Sequence, residues 1–246
     1  MRTIFSTVEI AGHSRVAPSN MDSCVTMHIQ RALAKMTAIY FDLDGTLTDP
    51  KLGMTRSIQY ALSKLDLAVP PADELTWCIG PPLLPSFKTL LNRDDLAHKA
   101  LSLYRERYAD IGLFENVIYP GIENVLSELA QSGHRLFVAT GKPTVYAERI
   151  IGHFEMTAYF EHVFGSELDG QRTDKTELLS YALRTARVDP SQARMIGDRS
   201  HDMIAARNNG MTAVGVLYGY GSKEELVDAG AHQVCATPQG LLDHVS

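Results

Sequence analysis

Two regimes of hydrophobic patterning divide this chain. The run Ala38-Ile39-Tyr40-Phe41 reads as a short apolar strand. From Tyr119-Pro120-Gly121 onward, short apolar runs alternate with helical periods. Helices are predicted over 122–132, closed by Gly133, and over 144–151, 176–187 and 200–208, the last stopped by Asn209-Gly210. Between them lie strands over 135–139, 161–164, 194–196 and 213–216, and a short strand over 233–235 precedes a terminal helix. Such alternation defines an α/β fold whose parallel sheet is covered by helices on both faces. In that architecture ligands bind at the carboxyl ends of the strands.

The segment from 51 to 118 breaks the pattern, being helical and poor in strands. Over 54–66, Ile58, Ala61, Leu62 and Leu65 form an apolar stripe with Arg56 and Lys64 off it. Pro70-Pro71 ends that helix, Asp73-Glu74 opens a short one reaching Trp77, and Gly80-Pro81-Pro82 makes a rigid turn. A further helix over 96–108 carries Leu96, Ala100, Leu103, Tyr104 and Tyr108 on or near one face. We therefore expect a helical domain over 51–118, inserted into a host fold made of 36–50 and 119–246. Residues 1–35 show no sustained period, and their polar stretch from Gly12 to Asn20 reads as loop. They are expected to be an appendage to the fold, disordered or a mis-called start, with translation beginning at Met36 or Met27.

Composition narrows the classes of partner. Of the 246 residues, 45% are hydrophobic and 21% charged, as in ordinary soluble globular proteins. A net charge of −6 without any basic run argues against nucleic-acid polymers and anionic membranes. Cys24, Cys78 and Cys235 are too scattered for a disulfide framework or a zinc site, which fits a reducing cytoplasm. No apolar run reaches the ~20 residues of a membrane span. Oligomeric state is open between monomer and homodimer.

Four polar clusters fall at predicted strand ends. In Asp42-Leu43-Asp44-Gly45-Thr46, acids two apart share a strand face, Gly45 permits a sharp turn, and Thr46 offers a hydroxyl and an amide to an anion. Solvated aspartates in a turn are the alternative there. Thr140-Gly141-Lys142-Pro143 follows a strand and opens a helix. It reads either as a capping threonine or as a phosphate seat built from a hydroxyl and outward amides. Lys175 opens a helix against its dipole, so it is either a surface lysine or a group that neutralises phosphate. In Gly197-Asp198-Arg199-Ser200-His201-Asp202, Ser200 is the expected N-cap and Asp202 lies in the first turn. Asp198 sits on the strand end, placed to join Asp42 around Mg²⁺.

Taken together and in order, these motifs resemble the haloacid dehalogenase-like superfamily, from Met36 to the end of the chain. Leu47 to Pro50, Ile79 to Leu83, Asp169 to Lys175 and Gly215 to Gly221 resemble its phosphoglycolate phosphatase and bacterial 5′-nucleotidase branch. The resemblance implies a Rossmann-like core with an α-helical cap and a Mg²⁺-dependent phosphomonoesterase acting on a small phosphorylated metabolite. It implies that Asp42 is the nucleophile forming an aspartyl-phosphate, and that Asp44 is the acid and base. Asp42, the Asp44 backbone carbonyl, Asp198 and Asp202 would serve the metal, while Thr140, Gly141 and Lys175 would hold phosphoryl oxygens. Gly45, Thr46, Lys142, Gly80 and Pro81 are the remaining expected substrate or phosphate contacts, with Lys142 either touching substrate or solvated. A β-phosphoglucomutase-like mutase shares all four motifs and is the alternative; a non-catalytic regulatory protein on the same fold is a further one, against which the intact motif residues count.

Overall fold

The computed structural model describes residues 37–245. The expectation for 1–35 lies outside the described residues. Strand β1 (Ala38–Phe41) leads through β2 (Thr48–Asp49) into α1 (Lys51–Lys64), a 3-10 segment (Ala72–Cys78), α2 (Leu83–Leu91) and α3 (Asp94–Asp110). After β3 (Val117–Ile118) and α4 (Ile122–Gln131) come β4 (Arg135–Pro143), α5 (Thr144–His153), β5 (His162–Ser166) and α6 (Lys175–Ala186). The chain continues through β6 (Ala193–Gly197), α7 (Ser200–Asn208), β7 (Thr212–Val216), α8 (Lys223–Asp228), β8 (Gln233–Cys235) and α9 (Leu242–Val245).

Six strands form one parallel sheet in the order β5-β4-β1-β6-β7-β8. The period of two in β1 is what joins the layers. Ile39 and Phe41 enter the apolar cluster on one face, with α4, α5 and α9, while Ala38 and Tyr40 enter the cluster on the other, with α6, α7 and α8. Tyr40 stacks on Phe137 at 4.7 Å between centroids. Register aligns Phe41 with Val138 on one side and Ile196 on the other. Asp42 therefore lies level with Ala139 and Gly197, one residue before Thr140 and Asp198 on the neighbouring strand ends.

The helical insert shares the first cluster, with Met54, Ile58, Leu62, Phe87, Ala100, Tyr104 and Tyr108 continuous with β1. Its two connections to the sheet pair antiparallel as β2 and β3, Thr48 beside Ile118 and Asp49 beside Val117. At that base the N–H of Gly53 donates to Glu115 O at 2.9 Å. A Cβ on Gly53 would lie 2.0 Å from Gly112 O, so the backbones meet where only glycine fits. Glu115 receives Arg107 in a forked pair (2.8 and 3.1 Å) and Arg56 at 2.7 Å.

Several boundaries differ from the sequence reading for identifiable reasons. α1 begins at Lys51 rather than 54, because Asp49 Oδ1 accepts the Lys51 N–H at 2.9 Å. α2 was not anticipated, since Pro85 follows Pro81-Pro82. Pro85 falls in the first turn, where amides have no intrahelical partner in any case. β4 runs on to Pro143 through a register shift after Ala139, so Thr140–Pro143 belongs to an irregular strand end and the helix starts at Thr144. Arg199, not Ser200, is the N-cap residue of α7, and Asp202 Oδ2 accepts its N–H at 3.1 Å. Among the described residues no helix is long and apolar enough to cross a membrane.

Arg107, and after it Arg56, hold the Glu115 carboxyl below its ordinary 4.5. The stabilisation is therefore complete above that value and is lost as pH falls through the depressed one. Glu115→Gln should lower the unfolding free energy by about 1–2 kcal/mol at pH 7. Urea titrations should show that gap closing as the pH is lowered toward 3.

Candidate active site

The centre of the site is one ammonium between two buried carboxylates. Lys175, first residue of α6, reaches Asp42 Oδ1 and Asp202 Oδ1, each at 2.9 Å. All three side chains are at most 5% exposed. Its place at a helix N-terminus gains nothing from the dipole, while Asp174 caps the helix by accepting the Glu177 N–H at 2.9 Å. Burial works to lower the lysine's pKa, but Asp202 and Asp42 outweigh it and hold it above the ordinary value. For Asp202 burial pushes upward and Lys175 pulls harder, leaving the carboxyl below its usual range.

Asp198, at the end of β6, is wholly buried and meets no lysine. Tyr220 N–H donates to its Oδ2 at 2.8 Å and the Thr46 hydroxyl to Oδ1 at 3.5 Å. The loop after β7 wraps it closely: a Cβ on Gly219 would lie 2.4 Å from Asp198 Cβ, and one on Gly221 1.9 Å from Asp198 O. Gly45, at φ +84°, leaves space on the opposite side, where a Cβ would meet Asp198 Oδ2 at 2.2 Å. Burial, then the charges of Asp202 and Asp42, push the Asp198 carboxyl well above its usual range.

Two expected phosphate contacts are otherwise engaged. The Thr46 amide donates to Leu43 O at 3.3 Å and its hydroxyl serves Asp198, while the Gly45 amide donates to Thr48 O at 2.8 Å. These residues shape the acid turn, because a reversal this tight satisfies its own amides. The Lys142 amide is likewise taken, donating to Thr140 Oγ1 at 3.2 Å. Thr140 accepts there, so its own proton stays available to a ligand.

Asp44 faces a cavity of about 480 Å³ together with Gly80, Pro81, Gly141, Lys142 and Tyr146. Lys142 Nζ lies 2.7 Å from Asp44 Oδ2 and 2.6 Å from the Tyr108 hydroxyl of the insert. Burial raises the Asp44 carboxyl above its ordinary value, with Lys142 opposing. The sequence gives Arg199 and His201 no role beyond their place in the motif. Arg199 donates to Ile79 O of the insert at 2.6 Å and to Glu225 at 3.0 Å, and a Cβ on Gly80 would touch its side chain at 3.0 Å. The sequence marks no such role for Tyr108, Tyr220 and Glu225 either, since nothing in their local pattern marks a long-range partner.

The donor set fits a hard cation. Asp42, Asp198 and Asp202 set three carboxyls against one ammonium, and the Asp198 carboxyl is raised first by burial and then by the charges of its two acidic neighbours. Asp42, His201 and Asp202 offer ligand atoms within 4.8 Å of one another. Asp198 lies outside that tight group, and the imidazole within it was not expected as a ligand.

A parallel sheet with buried carboxylates at its strand ends, beneath a helical insert, defines an α/β protein with an acidic site at the carboxyl ends of its strands. The chain belongs to the haloacid dehalogenase-like hydrolase family, whose model matches residues 39–216. It is 46% identical over 189 residues to a 5′-nucleotidase of Pseudomonas aeruginosa, covering 76% of this chain and 86% of that one. It is 38% identical over 183 residues to the tyrosine-protein kinase PtkA of Mycobacterium tuberculosis, covering 74% of this chain but 62% of that relative. The crystal structure of a predicted phosphatase from Clostridium acetobutylicum superposes with a TM-score of 0.82 at 40% identity, covering 85% of this chain and 98% of that one.

Burial decides what each ion pair contributes. Lys175→Met strands two buried carboxylates and should cost about 3–5 kcal/mol in chemical denaturation without added metal. Lys88→Met, which breaks a pair to Asp94 with side chains 41% and 78% exposed, should change stability by less than ~1 kcal/mol.

Proposed function

We propose that this phosphoric monoester hydrolase works with Mg²⁺ through an aspartyl-phosphate on Asp42, and that its substrate is a nucleoside 5′-monophosphate. The observation that carries the reading is the pairing of differently held carboxylates at one strand end: Asp42 tied to Lys175, Asp44 tied to Lys142 and raised by burial. Two acids in contrasting surroundings can divide nucleophile from proton donor. Asp42, Asp198, Asp202 and the Asp44 carbonyl would hold the cation. Once bound, it would offset charge on the phosphoryl oxygens and the carboxylates.

Lys175 holds Asp42 Oδ1 and leaves Oδ2 to attack phosphorus. As that O–P bond forms, the ester P–O bond breaks and its electron pair leaves on the alcohol oxygen, which takes a proton from Asp44. Water then attacks the phosphorus and gives its proton to Asp44. The Asp42–phosphorus bond breaks, releasing inorganic phosphate and restoring both side chains. Thr140 and Lys175 donate to phosphoryl oxygens as charge shifts onto them. The insert acts as the cap that excludes water and meets the leaving group.

Cavity size and lining favour a nucleoside over a two-carbon acid. A volume of about 480 Å³ is within the ~300–1,000 Å³ of sites for drug-sized ligands. Tyr146, His98 and Arg105 line it, offering ring faces and a cation suited to a base. The Pseudomonas relative's name supports the same choice.

Assays of phosphate release should give nucleoside 5′-monophosphates a kcat/KM at least ~10-fold above phosphoglycolate and sugar phosphates. Preference for phosphoglycolate, conversion of glucose 1-phosphate to glucose 6-phosphate, or transfer from ATP to protein tyrosine would each replace this reading. Asp42→Asn should lose ~10⁴-fold in kcat with an unchanged circular dichroism spectrum. EDTA should silence the enzyme and Mg²⁺ restore it.

A further inference from the structure

We infer that Lys142 is a positioning residue for the Asp44 carboxyl and that Tyr108 is the insert's grip on it, so that leaving-group protonation requires the insert to lie over the sheet. The inference rests on the proposed role of Asp44 as proton donor. The sequence leaves Lys142 either touching substrate or solvated; in the structure its ammonium is engaged inside the protein.

Lys142 Nζ sits 2.7 Å from Asp44 Oδ2 and 2.6 Å from the Tyr108 hydroxyl, with its charge 4.7 Å from the Tyr108 ring centroid. The lysine side chain is 5% exposed. An ammonium in such a place is costly unless paired, so the position makes sense through Asp44. The pair takes one carboxyl oxygen only. Asp44 Oδ1 is buried without a hydrogen-bond partner, and Asp44 borders the cavity where a leaving group would lie. Holding Oδ2 fixes the rotation of the carboxyl and leaves Oδ1 to carry the proton.

The grip from the insert is stiff. Tyr108 stacks on Tyr104 at 4.9 Å with 18° between the rings and meets Tyr146 of α5 edge-on at 5.9 Å. A phenylalanine would fill the same ring space, whereas the phenol adds a polar atom that needs a partner when buried. Lys142 Nζ donates to that oxygen, and Tyr104 is its second hydrogen-bond neighbour. Displacing α3 from the sheet would remove both the hydroxyl and the ring face from the ammonium, and Asp44 would lose its fixed counter-charge geometry.

Leaving-group dependence separates this role from a general structural one. A p-nitrophenolate departs with little need of a proton, whereas an alkoxide needs one. Across a series running from p-nitrophenyl through phenyl to alkyl phosphates, Lys142→Met should lose ~10²-fold in kcat on the alkyl esters and much less on p-nitrophenyl phosphate. Tyr108→Phe, which keeps the ring, should tilt the series in the same direction by a smaller factor, and Lys142→Arg should recover part of the loss. Equal losses across the series in both Lys142→Met and Tyr108→Phe would overturn the inference. Should Lys142→Met fail to fold, the slope in Tyr108→Phe decides alone. Asp44→Asn is the control on the underlying reading. A steep slope there with flat slopes at Lys142 and Tyr108 rejects the inference alone, and a flat slope at Asp44 rejects the proton-donor role itself.

Discussion

Asp42, Asp198 and Asp202 come together almost wholly buried, and Lys175 is the charge that makes this tolerable. Two like charges about 4 Å apart repel by roughly 4 kcal/mol at an effective dielectric near 20, and desolvation adds to that. Lys175 answers Asp42 and Asp202 directly, at 2.9 Å each, and leaves Asp198 to a backbone amide and a threonine hydroxyl. The site is thus underneutralised by design of its contacts. That imbalance suits a centre that takes up a cation and then a phosphoryl group.

Everything that brings those groups together follows from the sheet. Alternation in β1 sends Ile39 and Phe41 to one core and Ala38 and Tyr40 to the other, which fixes the strand between two layers. Parallel pairing with β4 and β6 then sets the ends of three strands level. Small residues complete the work: Gly45, Gly219 and Gly221 stand where any side chain would displace Asp198. The second layer of control comes from the insert, whose core is continuous with the sheet's and whose Tyr108 and Ile79 carbonyl touch Lys142 and Arg199 beside the acids.

Much of this was legible in the sequence, because it depends on short-range periodicity. The six strands of the parallel sheet, the order of the polar clusters and the helical character of 51–118 all follow from patterns a few residues long, whereas the short pair β2 and β3 does not. What the sequence does not show depends on distant partners. Thr46 was expected to meet an anion, but only the fold brings Asp198 to its hydroxyl across 152 positions. Lys142 sits beside a phosphate-seat motif, and its engagement with Tyr108 requires the insert to fold back onto the sheet. α2 was hidden by prolines that a first turn accommodates. In the sequence Gly215 to Gly221 carries only a family resemblance, whereas in the structure Gly219 and Gly221 follow the contour of one aspartate.

The central claim is that Asp42 carries the phosphoryl group in transit, and chemical trapping tests it most directly. Enzyme mixed with excess substrate and Mg²⁺, quenched in acid within a turnover and digested, should yield a peptide containing Asp42 that is heavier by one phosphoryl group. Fragmentation should place that group on Asp42, and hydroxylamine should remove it as expected for an acyl phosphate. Quenched enzyme that has released phosphate yet carries no such adduct, or carries it on His201 or another residue, would contradict the account.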